Sequence, residues 1–186
     1  MMENGVHIVT LVSRNKDNKD VAGFKQRRES FFTDKPIDSE ILQIKFKRFL
    51  NEGVHNETSR MYYSINPRDT VKTNKALCKF LIENPDYELR KLKYKQVSIA
   101  ALAENATSKK WLFDFDINDS SELDKFVQDI NNIDNNIEVT THKTPNGYAV
   151  ITSRGFDTRK LFEKWKDKDV ELKRDSMLCI FWETKR

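Results

Sequence analysis

The sequence is poor in cysteine, proline and glycine, and it has no long apolar run. Its two cysteines, Cys78 and Cys179, lack the spacing of metal ligands, which argues against a disulfide framework and a zinc site. No stretch approaches the roughly 20 apolar residues that span a bilayer, and the first residues lack the layout of a signal peptide. We therefore expect a cytoplasmic protein without a membrane partner.

The composition indicates a folded chain. Aromatic residues make up 11% of the 186 residues, too many for a disordered protein, and the length fits one domain with or without a helical extension. Residues 1–110 hold 21 Lys and Arg against 14 Asp and Glu, whereas residues 111–186 hold 12 against 15. From charge alone, a solvated surface of mixed charge is favoured over a polyanion-binding part beside an acidic cluster.

Residues 1–110 predict a mixed α/β unit that packs on the rest of the chain. Predicted strands cover 5–13 and 60–65, one helix opens at 36–40 and ends at Gly53, and further helices cover 70–83 and 88–103. Asp69 or Thr70 is the expected N-cap of the second helix. No element is assigned to residues 23–32, which are basic with interspersed phenylalanine.

Residues 111–186 predict a second domain in the order β-α-β-β-α-β. Strands are expected at 111–116, 137–141 and 148–152, with helices that begin near Ser120 and Asp157. Residues 170–182 hold either a fourth strand or two strands joined by a turn near 174–176. In the turn at 143–147, Asn146 and Gly147 are expected to adopt positive φ angles. This order predicts an α+β fold whose RRM-like or ferredoxin-like antiparallel sheet has its first and third strands in the middle.

Two carboxylates mark the end of the first strand of this second domain. Asp114 and Asp116 stand two residues apart and therefore share one face, while Phe113 and Phe115 point to the other. Neighbouring carboxylates repel each other unless a cation joins them, and hard oxygen ligands suit Mg²⁺ or Mn²⁺. Asp175, predicted on the last strand, is the candidate third carboxylate. The alternative is that Asp114 and Asp116 are simply exposed residues at a strand end.

Several basic and polar residues are candidates for contacts with phosphate or nucleotide: Arg60, Arg68, His142, Asn146 and Lys173. A further basic helix face comprises Lys72, Lys75 and Lys79. For His142 the competing interpretation is a residue on the surface of a hairpin. For the three lysines it is a solvated helix face.

In order and strand placement, these motifs resemble the archaeo-eukaryotic primase superfamily, especially the small phage and plasmid primase-polymerases. Asp114 and Asp116 match the family's first motif, Thr144–Thr152 its second, and Asp175 the acidic residue of its third. The resemblance covers residues 111–186 by motif and residues 1–110 by general layout only. It implies an RRM-like catalytic core beside an N-terminal α/β unit.

The resemblance also implies a function. Asp114, Asp116 and Asp175 would hold two Mg²⁺ or Mn²⁺ ions, and the enzyme would join nucleoside triphosphates on a single-stranded nucleic-acid template. A replication helicase is an implied partner, and the protein is expected to be phage-encoded and to act in the host cytoplasm.

One position departs from the family pattern. The family's histidine, which contacts the phosphates of the incoming nucleotide, would fall at Ala149. Three interpretations stay open: a substitution that inactivates an otherwise intact site, which the intact remainder of the motif favours; a member that binds without catalysing; or a different register, in which His142 takes this role from the preceding strand.

Two rival functions use the same residues. Gly147–Val150 partly fits the strand signature of RRM domains, in which aromatic side chains stack on RNA bases, so a non-catalytic nucleic-acid-binding protein is one alternative. A metal-dependent phosphohydrolase or nuclease built on Asp114 and Asp116 is the other. A phosphohydrolase of the haloacid-dehalogenase-like type would need more βα units than this chain supplies.

Overall fold

The protein has an α+β fold with two four-stranded sheets, as described for residues 5–186 in a computed structural model. The strands are β1 (His7–Ser13), β2 (Arg27–Thr33), β3 (Thr58–Ser64), β4 (Trp111–Phe115), β5 (Val139–Lys143), β6 (Tyr148–Thr152), β7 (Val170–Lys173) and β8 (Met177–Thr184). The α-helices are α1 (Glu40–Asn51), α2 (Thr70–Glu83), α3 (Leu92–Ala100), α4 (Ser120–Ile133) and α5 (Arg159–Lys164). Short 3₁₀ turns cover Asn15–Asp17, Leu89–Lys91 and Ala103–Asn105.

The chain divides into two compact units. Unit 1 comprises the described residues up to Thr107 together with Cys179–Arg186, and unit 2 comprises Ser108–Leu178. The predicted second domain, 111–186, therefore differs from unit 2 chiefly in its last eight residues. The first six of them belong to β8, which joins the sheet of unit 1 instead of continuing the sheet of unit 2.

Unit 1 is built on the sheet β2-β1-β3-β8. Strand β1 pairs antiparallel with both β2 and β3. Helix α1 covers one face of the sheet, because its apolar side chains recur at helical spacing: Leu42 and Phe46 are buried against Val9 and Met61 of the strands. Asp69 caps α2, accepting a hydrogen bond from the backbone N–H of Lys72 at 2.9 Å, as predicted.

Unit 2 has the predicted element order and the antiparallel sheet β5-β6-β4-β7, so its first and third strands, β4 and β6, are central. Helices α4 and α5 cover one face. Phe126 and Ile130 of α4 and Leu161 of α5 are buried there with Phe113 and Phe115 of β4. The alternation predicted for β4 is thus confirmed on its apolar side. We call the opposite side of this sheet the far face.

The structure differs from the predicted elements in several places. Strand β2 is unassigned in the sequence analysis because its charged residues hide the alternation of an edge strand. The helix predicted at 88–103 is broken into a 3₁₀ turn, α3 and a second 3₁₀ turn. Asp119, rather than a serine, caps α4, accepting from the backbone N–H of Ser121 at 2.8 Å.

Within residues 5–186, no helix has the length and apolarity needed to cross a membrane.

Candidate functional site

The candidate site lies on the far face of unit 2, at the end of the central strand β4. Asp114 is half-buried there, and Asp116 follows two residues later and is exposed. Phe113 and Phe115 are fully buried on the side of the helices. Since side chains alternate along a strand, the packing of the two phenylalanines fixes the direction of Asp114.

Lys173 provides the positive charge next to Asp114. Its Nζ donates to Asp114 Oδ2 and lies 3.3 Å from Glu171 Oε2 on the same strand, β7. Burial opposes the charge on Lys173, but the hydrogen bond and the attraction of Asp114, followed by those of Glu171, outweigh it and raise the pKa of Lys173 above its ordinary value. Lys173, which is predicted to contact phosphate, is therefore a charged ammonium group next to Asp114, which is predicted to bind the metal.

The strand register sets four side chains in one row across the far face. Asp114 pairs with Glu171 of β7 on one side and with Ala149 of β6 on the other, and Ala149 pairs in turn with His142 of β5. Directly paired residues share a face, and adjacent strands lie about 5 Å apart, so the Cα atoms of His142 and Asp114 are about 10 Å apart. Ala149, which is 2% exposed, places only a methyl group between them.

His142 is half-buried in this row. Burial lowers its pKa below the ordinary value of a histidine. Its imidazole is therefore neutral at pH 7 and offers one N–H donor and one acceptor nitrogen.

The structure corrects the placement of Asp175. This residue lies in the turn between β7 and β8 and not on a strand. Strand β7 runs antiparallel to β4, with Lys173 opposite Leu112, so the chain beyond Lys173 leads away from the end of β4 that carries Asp116. Asp175 comes four residues after Glu171, the residue that pairs with Asp114, and is therefore out of register with both aspartates. The three predicted carboxylates do not converge.

Glu171 is the acidic residue that the sequence analysis missed. It pairs directly with Asp114, whereas Asp175 belongs to no strand. The signal is present in the pattern of β7: Val170 and Leu172 pack on the core shared with the helices, which leaves Glu171 and Lys173 for the far face.

Within residues 5–186, no three His, Cys, Asp or Glu side chains are arranged so as to hold a metal ion. What the site does supply is a carboxylate pair with the preferred oxygen chemistry of Mg²⁺ or Mn²⁺, and a third carboxylate in register on the next strand. The donor set is therefore compatible with a divalent ion. In the structure the ammonium of Lys173 balances the charge of Asp114.

No protein family, curated protein or solved structure matches this chain.

The β5–β6 hairpin brings Asn146 to the same end of the sheet as Asp116. The turn is closed by a hydrogen bond from the Thr144 backbone N–H to the carbonyl of Gly147 at 3.0 Å. The expected positive φ angles are absent: in the described part of the chain, only Gly23 and Asn56 have them. Gly147 is needed for a different reason, because a Cβ atom there would lie 2.2 Å from the carbonyl oxygen of Phe115.

Gly147→Ala is expected to destabilise unit 2 by about 1–3 kcal/mol, because the added methyl group has to push the backbone of β4 away. Chemical denaturation followed by circular dichroism measures the loss. Asn146→Ala, at the exposed tip of the same turn, is the matched control and should change stability by no more than about 0.5 kcal/mol. Equal stability of the two variants would contradict the close approach.

The two predicted arginines belong to unit 1. Arg60, on β3, donates to Asp17 Oδ1 at 2.7 Å, and Arg14 donates to the same carboxylate at 2.8 Å through Oδ2. Burial alone would raise the pKa of Asp17, but hydrogen bonds and attraction from the two arginines lower it. Arg68 is buried, and its backbone bridges to Val6. Arg60 is thus already engaged by a carboxylate.

Proposed function

We propose that this chain is a primase-polymerase-type nucleotidyltransferase whose RRM-like, ferredoxin-like catalytic core is unit 2. The observation that carries the proposal is the position of Asp114. It stands on the far face of a central strand, two residues before Asp116, in one row with a carboxylate and a histidine of other strands. Strand order and element order are those of a split βαβ sheet.

Asp114 and Asp116 would hold Mg²⁺ or Mn²⁺. The third carboxylate of the site would be Glu171 and not Asp175. When bound, the ions supply the activation of a 3′-hydroxyl group and the neutralisation of phosphate charge. The rest of the work falls to side chains of the chain itself, through positioning and charge.

Lys173 has two roles in this proposal. Before substrate binds, its ammonium lies against both carboxylates and offsets the repulsion between Asp114 and Glu171. In the substrate complex the same ammonium, carried on a flexible stem, binds a phosphate oxygen of the incoming nucleotide. Asn146, at the exposed turn near Asp116, is placed to contact the nucleotide as well.

His142 is our candidate for the phosphate contact that the family makes from the position of Ala149. The two residues are directly paired on the far face, and Ala149 presents only a methyl group between His142 and Asp114. A neutral imidazole can donate one hydrogen bond to a phosphate oxygen without adding charge. The shifted register is therefore favoured over an inactivated copy.

The rival functions fit this geometry less well. An RNA-binding sheet needs aromatic side chains on its exposed face, but Tyr148 packs on the helix side, and the far face carries Leu112, Asp114, Ala149 and Ile151 on its two central strands. A haloacid-dehalogenase-like phosphohydrolase needs a parallel sheet, whereas β4 pairs antiparallel with both its neighbours.

The test is primer extension and de novo synthesis with labelled nucleotides, single-stranded template and Mn²⁺ or Mg²⁺. We expect product from the unmodified chain and an approximately hundredfold slower rate for His142→Ala, the size of an effect from one positioned donor. Thr140→Ala, on the same strand and the same face, is the matched control and should keep the rate.

Each other outcome has a distinct meaning. An unchanged rate for His142→Ala would contradict the role of His142, but the proposed nucleotidyltransferase activity would stand. Product from Ala149→His alone would mean that the chain is an inactivated copy of the same enzyme. If neither the unmodified chain nor Ala149→His gives product, and nucleic acid binds without metal, the protein is a non-catalytic nucleic-acid-binding module.

A further inference from the structure

The outward side of α2 in unit 1 is an exposed apolar surface that the proposed function does not use. It is lined by Val71, Asn74, Lys75, Cys78, Lys79, Ile82 and Glu83, and we call it the α2 face. Val71 is 60% exposed and Ile82 is 81% exposed, whereas Thr73 is the one buried residue of the helix. Large aliphatic side chains this exposed, on one stripe of a helix, are typical of a docking surface.

The apolar residues of this face form one ridge along the helix, in which Asn74 and Lys75 lie between Val71 and Cys78. Val71, Cys78 and Ile82 are separated by seven and four residues, which places them on the same side of the helix. The ridge is about 16 Å long, or three helical turns. A surface of this length and shape fits an amphipathic helix whose apolar side chains recur at the same spacing.

Positive charge lies along one side of the ridge. Lys72, Lys75 and Lys79 are exposed there, and the acidic residue of the face, Glu83, is 3.9 Å from Lys79. Electrostatic complementarity therefore favours an acidic occupant and steers its approach.

We propose that the α2 face docks an acidic amphipathic helix of a partner protein. A second copy of this chain would bring lysines against lysines. Single-stranded nucleic acid would need aromatic rings for base stacking, and the α2 face has none. The ring of Phe80, on the same helix, is half-buried, and Nζ of Lys95 lies 3.8 Å from its centroid. This inference is independent of the catalytic proposal.

The probe is a fluorescein-labelled 18-residue helical peptide with leucines on one face and glutamates on the other. Fluorescence anisotropy should show saturable binding that weakens with salt, and a peptide with lysine in place of glutamate should not bind. The double variant Lys75→Glu and Lys79→Glu should weaken binding at least about tenfold. The matched control is the double variant Lys160→Glu and Lys166→Glu, which reverses the charge of two exposed lysines of unit 2 and should bind the peptide like the unmodified protein.

Cys78 reports where the peptide binds. It is exposed on the ridge, whereas Cys179 is buried, so a thiol reagent such as Ellman's reagent reacts with Cys78 first. Saturating acidic peptide should slow its modification several-fold, and the lysine peptide should not. Equal affinity of the Lys75 and Lys79 double variant, or an unprotected Cys78, would overturn the proposal. Protection of Cys78 by oligo-dT, or by self-association at high protein concentration, would assign the face to nucleic acid or to a second copy instead.

Discussion

Asp114→Asn is expected to reduce metal-dependent nucleotide transfer by about 10³-fold or more, since the ions at such a site contribute several kcal/mol to the transition state. The substitution keeps the shape of the side chain and removes the negative charge that would hold a divalent ion. Binding of Mn²⁺, followed by electron paramagnetic resonance of the free ion, should be lost together with activity.

Asp124→Asn is the matched control for this experiment. Asp124 is an exposed carboxylate on α4 of the same unit, so its loss should leave both Mn²⁺ binding and rate unchanged. The melting temperature of Asp114→Asn should stay close to that of the unmodified chain, because an ion pair with Lys173 that is partly open to solvent contributes at most about 1 kcal/mol. Full activity without Asp114, or activity in the presence of a chelator, would refute the proposed site.

Glu57→Gln is expected to cost unit 1 about 3 kcal/mol of stability. Glu57 is 1% exposed, accepts from Nε of Arg27 at 3.0 Å, and accepts from the backbone N–H of Val54 at 2.9 Å. Arg27 also donates to the carbonyl of Phe49, so one ion pair ties β2 to the end of α1 and to the loop before β3. Removing the carboxylate leaves a largely buried guanidinium without its counter-charge, which is the costly way to break such a pair.

The cost should depend on pH with a defined sign. Burial alone would raise the pKa of Glu57, but hydrogen bonds from Ser13, Arg27 and Val54 lower it below its usual value. A lowered pKa stabilises the fold above the unfolded-state pKa of about 4.3, and this contribution disappears as pH falls through the folded-state pKa. The difference between Glu57→Gln and the unmodified chain should therefore be full at pH 7 and shrink below about pH 4.

Guanidinium denaturation at several pH values, with hydrogen exchange of peptides from β2 and β3, measures this difference in unit 1. Glu104→Gln is the control, because Glu104 is exposed in the same unit. A pH-independent difference would mean that the side chain acts through packing and not through its charge. No difference at all would contradict the buried pair.

Local patterns in the sequence were enough for much of unit 2. The alternation of Phe113, Asp114, Phe115 and Asp116 predicts which side chains face the helices, and the packing of β4 agrees. The spacing of Leu123, Phe126 and Ile130 likewise predicts the buried side of α4. Such patterns succeed because the period of a strand or helix is carried by neighbouring residues. The pairing of β4 with β6 follows from the order of these elements.

The hairpin turn shows a limit of local reasoning. The pair Asn146-Gly147 predicts positive φ angles, but the structure uses Gly147 for the close approach of β4 instead. The sequence signal, a glycine in a turn, is the same for both purposes. Which purpose applies depends on a strand more than 30 residues earlier in the chain.

The sequence by itself determined that the chain folds as α+β, that β4 presents carboxylates opposite a buried aromatic side, and where most elements lie. Only the tertiary structure decided between one strand and two for the last segment, which has Asp175 in the turn between β7 and β8. It also decided that β8 leaves unit 2 for the sheet of unit 1, and that Glu171 is the partner of Asp114. The reason is physical: an extended segment can pair with any complementary edge, and its choice of sheet and register depends on contacts that no local period encodes.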